Sequence, residues 1–280
     1  PAFAGGELDA DLLTNESVVE QAERFAKVAP LFLTESGEDE PLWDQVTAVS
    51  DWLTEYYPKA TVTGQLSTAT NGSKVPSVDI LESQLNEASQ FRVETLQELY
   101  QQIAGQSTTT DNIDALRAEL TDRLVSRDLA ADIEQVTETY PQVNLEALQE
   151  TIDDANSADG PLSEEAFANS ALRNNVETLA NGRTLLETPD DGDSFHTQLE
   201  AVNSELPDGP DGFVAQQIAK AVSGATIPTA DRAKQLLEQG RAILAGDDED
   251  DGGETDTQLW QQLSEYDDGT IVVIETEADQ

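Results

Sequence analysis

"SVDILESQLNEASQFRVETLQELYQQIAG", residues 77–105, decides the fold class. Leu81, Leu85, Ala88, Leu96, Leu99 and Ile103 fall on one side of a 3.6-residue period, and Phe91 and Tyr100 widen the stripe. Such spacing lines apolar side chains along one face of an α-helix and leaves the charged ones to water. Gly105 is the expected stop, because glycine adopts the left-handed conformation that closes a helix at little cost. At 1.5 Å per residue the element spans about 40 Å.

The same period runs outward in both directions. Ser17 and Glu20 fit a capping box, in which hydroxyl and carboxylate satisfy the free N–H groups of a helix start. Val18, Val19, Ala22, Phe25, Ala26 and Ala29 then share a side until Pro30 interrupts the ladder. Pro41 suits the first turn of a second helix carrying Leu42, Val46, Val49, Leu53 and Tyr56. Beyond Gly105, Ile113, Leu116, Leu120 and Leu124 form a stripe that resumes at Leu129, Ile133, Val136 and Tyr140. The five-residue step from Leu124 to Leu129 breaks the phase and predicts a stop or bend near Ser126. A short helix holds Leu145, Leu148 and Ile152, and one longer helix holds Phe167, Leu172, Val176, Leu179 and Leu186. Phe195, Leu199, Val202 and Leu206 mark another, and two more are expected over about 213–222 and 229–245.

Two stretches depart from this period. Residues 59–76, "KATVTGQLSTATNGSKVP", are rich in Thr, Ser and Gly. Thr61, Val62 and Thr63 read as a short strand and Asn71-Gly72 as a hairpin turn, with a long loop as the alternative. Near the C-terminus "TIVVIE", residues 270–275, reads as a strand buried on both faces. The expected fold is therefore mainly α: a multi-helix bundle or array with a small β element at residues 60–76, 270–275 or both. "DANSADGP", residues 154–161, separates an N-terminal helical region (1–157) from a C-terminal one (158–245). An acidic linker follows at 246–257, then a short helix and strand over 258–280.

Charge restricts function. Asp and Glu number 57 against 14 Lys and Arg, for a formal net charge of -43, yet apolar residues still make up 38% of the chain. Apolar periodicity argues against a wholly disordered acidic chain. A compact body of this charge repels itself in dilute buffer, whereas at 1 M salt the Debye length falls to roughly 3 Å and the repulsion is screened. The spread of acids, and nine Arg against five Lys, resemble the protein composition of extremely halophilic archaea and their viruses. Direct nucleic-acid binding is not expected, since phosphate contacts need clustered bases. No apolar run reaches the ~20 residues of a membrane span. The opening "PAFAGGELDA" has neither the basic nor the apolar part of a signal peptide. The expected location is cytoplasmic, or a virion if the chain is viral.

The reactive inventory is thin. Cysteine is absent, which removes thiolate nucleophiles and Cys-ligated metals. His196, the single histidine, reads as a surface or capping residue. "GDDEDDGGETD", residues 246–256, packs seven carboxylates into eleven residues. With Gly252 at the sixth position of a calcium loop, the twelfth is Gln258, which supplies no bidentate carboxylate. No catalytic, cofactor or metal-ligating residue is assigned. The candidate partner-binding residues are Leu259, Trp260 and Leu263 on the short helix, with Ile271, Val272, Val273 and Ile274 on the strand. They lie beyond the acidic spacer like an arm, able to fold back on residues 60–76 as a small sheet or to add to a sheet edge of another subunit. The functional expectation is a non-catalytic structural, scaffold or adaptor subunit working through protein partners or self-assembly. An enzyme or accessory subunit with an Asp/Glu-based site, and an acidic DNA mimic, are the alternatives.

One outcome follows from the charge alone. Circular dichroism in molar KCl gives a mostly helical spectrum that is substantially lost below about 0.2 M salt. Equal stability at both salts would remove the halophilic reading.

Overall fold

The long stripe at 77–105 becomes one continuous helix, and the rest of the chain is arranged along it. The structure is a computed structural model that describes residues 16–33, 40–71, 76–189, 192–206 and 212–245. Among these residues there are twelve α-helices and no strand. They are α1 (Glu16–Val28), followed by a 3₁₀ turn (Ala29–Phe32), then α2 (Leu42–Tyr56), α3 (Thr61–Thr70) and α4 (Val78–Ala104). Next come α5 (Ile113–Leu124), α6 (Arg127–Thr139), α7 (Glu146–Ser157) and α8 (Glu164–Ala168). The last four are α9 (Ser170–Leu186), α10 (Phe195–Glu205), α11 (Phe213–Ser223) and α12 (Ala230–Ala245).

Helix α4 ends as its sequence dictates: Gly105 takes φ 68° and its N–H reaches the Gln101 carbonyl at 2.8 Å. The two halves of α4 serve different cores. Leu81 and Ala88 lie in a cluster with Leu31, Val46, Leu53 and Leu66, to which α9's neighbour Ala168 also contributes. Leu96, Leu99 and Ile103 belong to a second, larger cluster that runs on through Leu120, Val136, Leu179 and Ile218 to Leu237. Helices α2 and α3 pack on α4 in the first cluster, α5 and α9 in the second. Helices α10, α11 and α12 pack on one another, and α10 and α12 also pack on α9. The loop at 158–163 separates α7 from α8, and the larger cluster continues across it from Leu148 to Phe167.

Caps set the phase breaks. Ser126 accepts the Leu129 N–H and starts α6 two residues after α5 ends, at the predicted position. Asn112 and Ser194 cap α5 and α10 in the same way. Asn169 accepts the Ala171 N–H and splits into α8 and α9 what the spacing had suggested was one helix. Gly224, with φ 77°, closes α11 directly against Tyr140, where a Cβ would stand 2.5 Å from the Tyr140 Cβ.

The small β element expected at 60–76 is not formed: residues 61–70 are helical. Val62, Leu66 and Ala69 are buried at helical spacing, so packing on α2 and α4 overrides the strand preference of Thr and Val. The threonine hydroxyls are absorbed locally, with Thr63 donating to the Tyr57 carbonyl and Thr68 to the Gly64 carbonyl, each at 2.7 Å. The second expected strand, 270–275, and the linker at 246–257 lie outside the described residues.

The two clusters are joined by a seam of rings and charges. Arg92 on α4 forms a bidentate pair with the buried Glu164 of α8, Nε donating at 2.8 Å, and its guanidinium lies 5.0 Å from the Trp52 ring centroid. Arg173 on α9 covers Tyr57 at 4.6 Å, and Tyr57 meets Phe91 edge to face. The hydrogen bond that Arg92 donates to Glu164 favours the charged form of Arg92, and burial pushes the Tyr57 hydroxyl above its ordinary pKa. Glu165 is held below the ordinary carboxylate range by its own backbone N–H and by Ser163.

Removing one partner of the Arg92–Glu164 pair strands the other inside the seam. Arg92→Ala is expected to lose about 3 kcal/mol of unfolding free energy in molar KCl. Chemical denaturation measures it, and a loss below about 0.5 kcal/mol, the size of a surface substitution, contradicts the role given to the seam.

Candidate interaction surface

Helix α1 has the amphipathic pattern of a core helix but not the burial. Every side chain described in it is exposed, including Val19 at 40% and Phe25 at 69%. The 3₁₀ turn buries only Leu31 and leaves Phe32 52% exposed, with Leu33 just beyond it at 64%. These four are half of the exposed large hydrophobic residues among those described. Pro30, Leu33, Leu42, Val78 and Leu85 border a groove of about 240 Å³ where the turn meets α2 and the start of α4. Phe32 is steadied by the Trp43 ring, 5.6 Å between centroids. Four exposed large apolar side chains thus fall within the fifteen residues 19–33.

The charge of one sequence window here differs from that of the rest of the chain. Residues 24–33 carry Arg24 and Lys27 and no carboxylate; no other ten-residue window holds two bases without an acid. Arg24 reaches Glu20 only loosely, at 3.9 Å with both side chains solvated. The window is local: α1 also carries Glu16, Glu20 and Glu23, and Glu82 lines the groove.

Other candidate sites resolve into structural roles. His196 is a correction to the sequence reading: Ser194 caps α10, and His196 is buried, edge to face with Tyr140 at 4.9 Å between centroids. Its Nε2 lies 3.4 Å from a Glu200 oxygen. Nδ1 of His196 and the Tyr140 hydroxyl have no hydrogen-bond partner among the described residues, and burial raises the tyrosine pKa. A cleft of about 580 Å³ lies at the C-terminal end of α4 between Glu98, Asp132, Arg183 and Glu187. Arg183 there donates to the Ile103 and Gln102 carbonyls and to Asp132, so its N–H groups serve to close α4. No three His, Asp or Glu side chains among the described residues gather to hold a metal, and no described helix is long and apolar enough to cross a membrane.

The residues singled out in the sequence, Leu259, Trp260, Leu263 and Ile271 to Ile274, lie outside the described residues. With no strand among the described residues, these offer no sheet edge for the tail. Sequence reasoning placed Phe25 on an apolar face but passed over Phe32 and Leu33, and the acid-free window around them was the available signal. Compared with known proteins, the chain matches no family model, no curated sequence and no solved structure.

Proposed function

We propose that this chain is a non-catalytic scaffold or adaptor subunit that works through protein–protein contacts in a high-salt environment, as in an extreme halophile or its virus. The observation that carries the reading is the exposed apolar surface of α1 and the following turn. Burying Phe25, Phe32 and Leu33 against a partner is favourable at roughly 25 cal/mol per Å² of apolar area, whereas leaving them in water forgoes that gain. The polar side chains in the interior support the reading from the other side. Arg92, Glu164 and Arg183 are engaged in bonds that join or cap helices, which leaves them structural rather than chemical work.

Salt belongs to the same account. Two bodies of net charge -43 approach each other only when their repulsion is screened, while apolar burial persists in molar salt. Light scattering after size exclusion in molar KCl is expected to show the chain in a stoichiometric complex, with itself or with a second protein. The paired change Phe25→Asp and Leu33→Asp is expected to abolish that complex while leaving the helical spectrum intact. A complex that persists in the variant contradicts the assignment of this surface, as does a wild-type chain that remains single and partnerless.

A further inference from the structure

We infer that the chain is a tandem array of one four-helix unit, about 83 residues long, present in full as α2–α5 and α6–α10 and begun again as α11 and α12. The sequence betrays it at one place: "TEYYP" at 54–58 returns as "TETYP" at 137–141, 83 residues on. The two stretches close their helices alike. The Tyr57 N–H donates to the Leu53 carbonyl at 2.7 Å, and the Tyr140 N–H to the Val136 carbonyl at 2.9 Å. Three residues further, the N–H groups of Ala60 and Val143 return to the two tyrosine carbonyls, each at 3.1 Å. Val46, Leu53 and Tyr57 are buried, and so, at the same step, are Leu129, Val136 and Tyr140.

The other helices keep the step. Helices α2, α6 and α11 end at Tyr56, Thr139 and Ser223, and α3, α7 and α12 begin at Thr61, Glu146 and Ala230. Helix α4 ends at Ala104 and α9 at Leu186, with Val93, Leu96 and Ile103 of the first answered by Val176, Leu179 and Leu186 of the second in one core. Asn112 caps α5 and Ser194, 82 residues on, caps α10; Leu120 and Leu124 are answered by Val202 and Leu206. In the third copy, Leu148, Thr151 and Ala155 of α7 return as Ala233, Leu236 and Gly240 of α12, all buried.

Packing partners recur as well. Helices α2 and α3 lie on α4 as α6 and α7 lie on α9, and α4 meets α5 as α9 meets α10. The joint to the next unit is also repeated, with α5 on α7 and α10 on α12. Two departures mark the second copy: Asn169 divides its long helix, and α6 meets α7 less closely than α2 meets α3. Units of a repeat array bury against their neighbours what none can bury alone, so the core runs on from unit to unit. The larger cluster does so here, unbroken from Leu96 on α4 to Leu237 on α12. The reach of the scaffold is then set by the number of units. This holds apart from the role given to α1, which precedes the first unit.

A chain with one unit more tests the inference. Residues 58–140 are given twice, so that Tyr140 is followed by a second Pro58 and every residue of the natural chain is kept. If the step is a true period, the added copy stacks between its templates. In molar KCl the helical signal per molecule is expected to rise by about 30%, in proportion to chain length, and the added helices to resist protease as well as those flanking them. A signal that stays at the wild-type value, or an added copy digested while its flanks persist, overturns the inference. So does a lengthened chain that fails to fold, since it lacks nothing the natural chain has.

Discussion

The sharing of α4 between two apolar clusters is the constraint on which the rest of the molecule depends. A helix of 27 residues has too much apolar stripe for one small group of neighbours. Its first half is therefore covered by α2, α3 and the 3₁₀ turn, its second half by α5 and α9. Because the shaft is continuous, neither cluster can be lost without exposing part of a helix that the other needs. Arg92 sits between the halves, and its pairing with Glu164 fastens α8, and through it α9, to the same shaft.

This scheme leaves α1 without a place in either core. Its stripe of Val19, Ala22, Phe25 and Ala26 is as regular as that of α2, but α2 finds α3 and α4 while α1 meets mainly the turn that follows it. The contrast separates two uses of one pattern. An amphipathic stripe states that a face seeks apolar cover, and the topology decides whether that cover lies inside the molecule. No acid lies between Arg24 and Leu33, whereas Glu16, Glu20 and Glu23 occupy the first part of α1.

Much of the fold was legible because it depends on local spacing. The step from Leu124 to Leu129 marked the break that Ser126 caps, and Gly105 marked the end of α4. What failed depended on contacts distant in sequence. Thr61 to Thr70 carry strand preferences, but α2 and α4 supply a surface that rewards Val62, Leu66 and Ala69 at helical spacing. Arg92 and Glu164 lie 72 residues apart, and nothing in either neighbourhood announces the pair. His196 looked solvated among nearby acids, and only the arrival of Tyr140, just after α6, turns it inward. The exposed apolar face was half legible: periodicity gave Phe25 its side of the helix, and only the three-dimensional packing shows that side uncovered.

Hydrogen exchange along α4 in molar KCl tests the shared-shaft account most directly. If α4 couples the clusters, buried amides at 81–88 and at 96–103 exchange together, at the free energy of global unfolding. Protection that is lost first at 81–88 while 96–103 and α9 remain closed would contradict it, by showing two cores that merely adjoin.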